Sequence, residues 1–320
     1  MLFRRPCYYD NFICKADKCT DNCCIGWEIC IDSETADFYS CVKGDFGKLL
    51  KENITEDDEP SFILKGERCP FLNKNNLCDI IINLGENALC QICRDHPRWF
   101  EWYGNEKEGG IGLSCEEGAR LILTEESFDS YFESETDEEP DEDFDEDAYR
   151  FLLSVRDGIF DILYSDEASF EAKANLILDL CSEAEARLNG CEKASPLHFG
   201  FDKELANALP ILAKTEPIDE KWTAAAKRLK ADIPLEINDD EEKYITRLFA
   251  YFVWRYFLTS VFDYCVTEKV RFALFSVTVI LALFRSGADR SFDPLLKSAV
   301  LYSKQMEYSS ENLDIFYMSC

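Results

Sequence analysis

Twelve of the sixteen cysteines in this 320-residue chain fall within the first 115 residues. Thiols gathered so closely must be held by disulfides, by zinc or by an iron–sulfur cluster, and each choice implies a different fold around them. The densest stretch is CKADKCTDNCCIGW at residues 14–27, with four cysteines in eleven residues and two of them adjacent. A chain of this length can bury a full core and is expected to form two compact units. The cysteines are therefore not needed to rescue a small fold, and the region reads as a site.

The opening residues MLFRRPCYYDNFIC carry two arginines but no apolar run, so they do not read as a secretory signal and a reducing cytoplasm is the expected setting. There, clustered thiols are more often metal ligands or redox groups than disulfides. Net charge is −29, from 34 basic and 63 acidic side chains, so phosphate backbones are repelled and nucleic acid is not an expected partner. A membrane is not expected either: the longest apolar run, Phe272 to Phe284, is thirteen residues, whereas a spanning helix needs about 20. It reads as a buried helix, as does its neighbour LFAYFVWRYFLTSVFDYCV, which carries Arg255 and Asp263.

Residues 125–147 hold 14 acidic side chains in 23 positions, and this stretch is read as a solvated linker. The expected fold is mostly α: a loop-rich cysteine cluster domain with short helices over 1–124, then an all-helical domain over 148–320. In the first part a helix is expected in 33–52 and a small hairpin at GNEKEGGIGL, residues 104–113. Downstream, Leu152, Val155, Ile159 and Leu163 recur at helical spacing. The next helix begins at the Ser165–Asp166–Glu167 start signal and stops at Asn189–Gly190. Further helices are expected at about 219–230, 241–265, 268–286 and 292–309. No strand–helix alternation appears, which disfavours a doubly wound sheet.

The candidate ligands form four groups: Cys14, Cys19, Cys23 and Cys24; Cys69 and Cys78; Cys90 and Cys93; and Cys115. The C-x-x-C at 90–93 has the usual chelating spacing. Only two histidines, His96 and His198, are present, so any site must be mainly thiolate, and four cysteines suit zinc and an iron–sulfur cluster alike. Adjacent Cys23 and Cys24 diverge by about 100° on a helix and about 180° on a strand, so they seldom share one small ion. A four-iron, four-sulfur cluster could take both, or one binds while the other packs or serves a second site; zinc is the alternative metal. Cys7, Cys30 and Cys41 read as bystanders, and Cys181, Cys191, Cys265 and Cys320 lie in the helical half or at its end. His96, in RDHPR beside the C-x-x-C, is a candidate general base or a loop cap.

Across KCTDNCCIGWEICID at 18–32, CPFLNKNNLCDIIINLGENALCQICRDHPRWF at 69–100, LSCEEGARLIL at 113–123 and YSKQMEYSSENLDIF at 302–316, the chain resembles the flagellin lysine-N-methylase family. Members of that family carry a cysteine-rich domain described as a zinc- or iron-chelating module. The resemblance implies transfer of a methyl group from S-adenosylmethionine to lysine side chains of flagellin, with an iron–sulfur cluster implicated and the nine cysteines above as candidate ligands. The chain departs from radical S-adenosylmethionine chemistry, since Cys14, Cys19 and Cys23 do not have C-x-x-x-C-x-x-C spacing. It also lacks a strand-borne G-x-G-x-x-G.

Methyl transfer of this kind needs a neutral amine and a sheltered sulfonium. Trp27, Trp99, Trp102 and Tyr103, close in sequence to the thiol motifs, are candidate aromatic faces for the two cations, with core packing as their other reading. Asp95, Glu116 and His96 are candidate proton acceptors. The alternative function is a metal-binding or redox module fused to a helical interaction domain, without methyl transfer.

Overall fold

A computed structural model describes residues 1–55, 57, 59–124, 131–138, 144–166 and 168–319. Helix dominates, as the periodicity predicts, beside one four-stranded sheet. The chain divides into two compact units, one formed by residues 1–12, 100–114 and 118–320, the other by 13–99 with 115–117. This division crosses the expected boundary, because the first residues and the 100–114 segment fold with the helices. The reason lies in strand pairing.

The strands are β1 (Leu2–Pro6), β2 (Arg98–Tyr103), β3 (Glu106–Ile111) and β4 (Tyr131–Glu135), in the order β2-β3-β1-β4. The expected hairpin is present as β2 and β3 joined at Gly104–Asn105, but its first arm precedes the GNEKEGGIGL stretch. β1 pairs in parallel with β3, Phe3 opposite Lys107, and antiparallel with β4, Arg5 opposite Phe132. β4 lies inside the stretch expected to be a solvated linker, and that expectation fails for residues 131–135. Side-chain contacts from the β1 arginines hold the pairing: Arg4 Nε donates to Glu133 Oε1 at 2.7 Å, and an Arg5 terminal nitrogen donates to the Ser134 hydroxyl at 3.0 Å. The other segments of the acidic stretch, 125–130 and 139–143, lie outside the described residues.

Side chains alternate across the sheet. On one face Arg4 forms an ion pair with Glu106, which also accepts from the Tyr149 hydroxyl at 2.9 Å. On the same face Glu108 receives both terminal nitrogens of Arg156, at 2.6 and 2.7 Å, and both side chains are almost wholly buried. The Arg156 guanidinium lies 4.5 Å from the Trp254 ring, whose indole N–H donates to Gly109 O at 3.1 Å. Tyr149 and Arg156 belong to the helix Glu146–Leu163, in which the predicted stripe Leu152, Val155, Ile159 and Leu163 is buried. Trp254 belongs to Asp239–Tyr256.

The apolar run forms the core helix Val266–Arg285, buried along almost its whole length between Phe170–Asn189, Phe201–Leu212, Asp239–Tyr256 and Phe292–Met306. No helix among the described residues is long and apolar enough to cross a membrane. Phe170–Asn189 ends as expected at Gly190, which takes the left-handed conformation at φ +62°, although Ser169 rather than Ser165 precedes its first turn. The helix expected in 241–265 gives way at Phe257–Val261 to a 3₁₀ turn, and the one expected in 33–52 breaks at the extended Val42–Lys43 into Ser33–Cys41 and Gly44–Glu52. Phe201–Leu212 and Ser310–Tyr317 are helices the periodicity did not single out.

Replacing Arg156 by Met leaves Glu108 buried without its partner, and unfolding in urea is expected to show a loss of about 3–5 kcal/mol. Replacing both, with Glu108→Leu, is expected to recover most of that loss.

Candidate metal centre

Residues 13–99 and 115–117 contain all nine candidate thiols. Their scaffold is a small core built on Ile29, Ile31, Tyr39, Leu50, Phe62 and Phe71, in which Cys69 and Cys90 are themselves buried. Cys24, Cys78 and Cys93 pack against the same core, so five thiols share one apolar setting. Regular structure is sparse around them. Isolated β-bridges at Ile25–Arg68, Cys30–Ser61, Ile54–Phe62 and Leu72–Cys78 pin the loops instead, and Cys69 N–H donates to Cys24 O at 2.9 Å.

Asp32 has a structural role that no motif in the sequence marks. It caps the helix Ser33–Cys41 through Thr35 N–H at 2.9 Å, and its other oxygen accepts from Gln91 N–H at 2.8 Å. Gln91–Asp95 is the short helix that carries Cys93, with Cys90 as its N-cap. One carboxylate thereby fixes the C-x-x-C to a distant helix end. From the far side, the Tyr39 hydroxyl donates to Ala88 O at 2.6 Å, just ahead of Cys90.

Burial pushes the Cys69 thiol up to about 11 and raises Cys78, with neighbouring thiols adding to both effects. Within the C-x-x-C, a hydrogen bond between the two sulfurs holds Cys90 low and drives Cys93 up. Cys23 is lowered by hydrogen bonds from Cys24 and His96, whereas that same sulfur contact and burial raise Cys24. The sulfur contact thus favours ionisation of Cys23 and Cys90 over that of their partners, and thiolate is the form in which cysteine binds a cation.

Cys14, Cys19 and Cys115 form a second group. Glu116 ties it together, accepting from Thr20 N–H at 2.8 Å and the Thr20 hydroxyl at 2.6 Å while forming an ion pair with Lys15. Burial alone would raise the Glu116 carboxyl, but the Lys15 and Thr20 contacts outweigh it and hold it at about 2. Cys19 is pushed up to about 12 by burial and by the nearby Cys115 and Cys14 sulfurs. Among the described residues, no three Cys, His, Asp or Glu side chains converge on a single ion-binding point, and no disulfide is present.

His96, Asp95, Trp27 and Trp99 all belong to the thiol-bearing unit, and His96 reaches Cys23. Trp102 and Tyr103 do not belong to it. Tyr103 is buried in the other unit, stacked on Tyr149 at 5.1 Å, and the Trp102 indole donates to Glu138 at 2.8 Å. For Tyr103 the structure supplies the core-packing role. Cys30 and Cys41 lie exposed in the thiol unit, and Cys7 lies in the other.

Over 128 residues, 38% of its length, the chain is 31% identical to the flagellar biosynthetic protein FliU of Salmonella muenchen, and the match covers 76% of FliU. Over 128 residues it is also 31% identical to proteins of Salmonella choleraesuis and Salmonella typhimurium, each named lysine-N-methylase, of which 32% is covered. The match thus spans about a third of the length of those two relatives. No protein-family model matches the chain, and no solved structure matches it.

Glu116→Gln weakens the bond to Lys15 and the charge-assisted bonds to Thr20, with an expected cost of about 1–3 kcal/mol. Alkylation of Cys14 and Cys19 is expected to accelerate in this variant, while that of buried Cys69 and Cys90 stays slow. Peptide mass mapping over a labelling time course reads both rates.

Proposed function

The chain belongs to the family of FliU and the lysine-N-methylases, and on that basis we propose that it methylates lysine side chains of flagellin, with S-adenosylmethionine as donor and a thiolate-bound iron–sulfur cluster assisting. The observation that carries this reading is the gathering of all nine candidate thiols in one compact unit, five of them on a single apolar core. Sulfur is the donor that such clusters require, and the five thiols on this core meet the four that a cluster takes. The sulfur pairs Cys23–Cys24 and Cys90–Cys93 supply ligands from two separate stretches of chain.

When bound, a cluster held by thiolates from among Cys24, Cys69, Cys78, Cys90 and Cys93 would supply Lewis-acid chemistry to the site. The remaining work falls to the chain's own residues. The acceptor amine must lose a proton before it attacks, so a base is required. Glu116 is committed to Thr20 and Lys15, which keep its carboxylate ionised and weakly basic. Asp95 ends the short C-x-x-C helix. We assign proton removal to His96, which adjoins the Cys23 sulfur. Trp27 and Trp99 offer aromatic faces to the cationic sulfonium and ammonium from within the same unit.

Flagellin produced with this chain is expected to gain methyl mass on lysines. An unchanged flagellin mass spectrum overturns methyl transfer. Protein purified without oxygen is expected to carry iron and acid-labile sulfide, both lost in Cys24→Ser and Cys90→Ser; stoichiometric zinc without sulfide overturns the cluster. Iron and sulfide beside unmodified flagellin would favour a metal-binding or redox module without transfer.

A further inference from the structure

The sheet face opposite the Glu108–Arg156 pair holds a lysine enclosed by aromatic rings. Lys107 Nζ lies 4.4 Å from the Phe100 ring centroid, 4.6 Å from that of Trp102 and 5.8 Å from that of Phe3. It donates to Glu138 Oε1 at 2.6 Å, and the other oxygen of that carboxylate accepts from the Trp102 indole at 2.8 Å. Gly109, two residues along β3 on the same face, allows the rings to close in: a Cβ there would stand 2.9 Å from Phe3 and 3.1 Å from Phe100. All of these residues belong to one compact unit.

An ammonium has three N–H donors. Among the described residues, Glu138 is the acceptor for one of them, and the surroundings of the other two are ring faces. The side chain is only 11% exposed, so little water reaches them. A dimethylated nitrogen has one N–H and two methyl groups, the same division of one acceptor and apolar faces. Methylation leaves the positive charge, the Glu138 hydrogen bond and the attraction to the rings in place, as in aromatic cages that recognise methyl-lysine.

We propose that Lys107 is a methylation site of this chain itself, modified by the chain's own activity and held afterwards as dimethyllysine in the Phe3–Phe100–Trp102–Glu138 box. The proposal rests on the methylase reading above. In each of two transfers the neutral ε-amine attacks the methyl carbon of a sulfonium donor. A C–N bond forms as the C–S bond breaks, and the electron pair of that bond leaves with sulfur as a thioether. One proton passes from nitrogen through the His96 base to solvent per transfer, so two donors are consumed, two protons are released and the lysine keeps its single charge. Transfer takes place with the Lys107 arm outside the box, while the Glu138 contact is released. The box then retains the product.

The test uses the full chain, produced with flagellin in a host that has no relative of this family. Wild type, Cys24→Ser and Lys107→Arg are compared by peptide mass spectrometry on both proteins. The expected result is a mass gain of two methyl groups on the Lys107 peptide of wild type, absent from the other two. An unmodified Lys107 beside methylated flagellin overturns this proposal alone. Modified Lys107 beside unmodified flagellin supports it and overturns flagellin as substrate, and modification of neither overturns both. Dimethylated Lys107 in Cys24→Ser overturns self-modification.

Discussion

The Glu108–Arg156 pair is the interaction on which the larger unit depends. Two opposite charges removed from water are tolerated only when their hydrogen bonds are well formed, and here a bidentate contact, a Trp254 ring face and the neighbouring Arg4–Glu106–Tyr149 group meet that condition. The pair joins β3 to the helix Glu146–Leu163, and Trp254 extends the join to Asp239–Tyr256 through Gly109 O. A purely apolar contact could slide along the sheet. A paired carboxylate and guanidinium fix the register, because a shift of one residue would turn Glu108 to the other face and strand Arg156.

In the thiol-bearing unit the organising principle is different. Its apolar core is small, and the loops around it are secured by single bridges, by Asp32 and by Glu116 rather than by continuous sheet or long helices. A cation bound by thiolates would supply the cohesion that apolar burial supplies elsewhere, with the thiol protons displaced on binding.

The helices were legible in the sequence wherever their pattern was local. Leu152, Val155, Ile159 and Leu163 announce their helix, Asn189–Gly190 its neighbour's end, and the Phe272–Phe284 run a helix apolar all round and therefore buried. The thiol motifs are legible for the same reason, since each candidate group is a short local signal, and the structure gathers all nine thiols in one compact unit. What escaped were partnerships across long separations. β1 is five residues with two arginines, and its complement Glu133 lies in an acidic stretch that reads, by composition alone, as solvated. Asp32 looks like an ordinary helix cap until Gln91 is seen on its second oxygen. Tyr103 was drawn to the thiols by sequence proximity, yet the chain passes from one compact unit to the other between Trp99 and Phe100.

β1 also has a kinetic consequence. Its parallel partner β3 follows only after the whole 13–99 segment, so that segment is an insertion within a strand pair. Closing a sheet across an unstructured loop costs entropy that grows with loop length. A folded insert behaves as a short tether, holding Ile13 and Trp99 at a set separation and lowering that cost. Ordering of the thiol-bearing segment would therefore hasten assembly of the sheet through chain connectivity alone, making the rate at which that segment folds a determinant of how fast the rest of the protein matures.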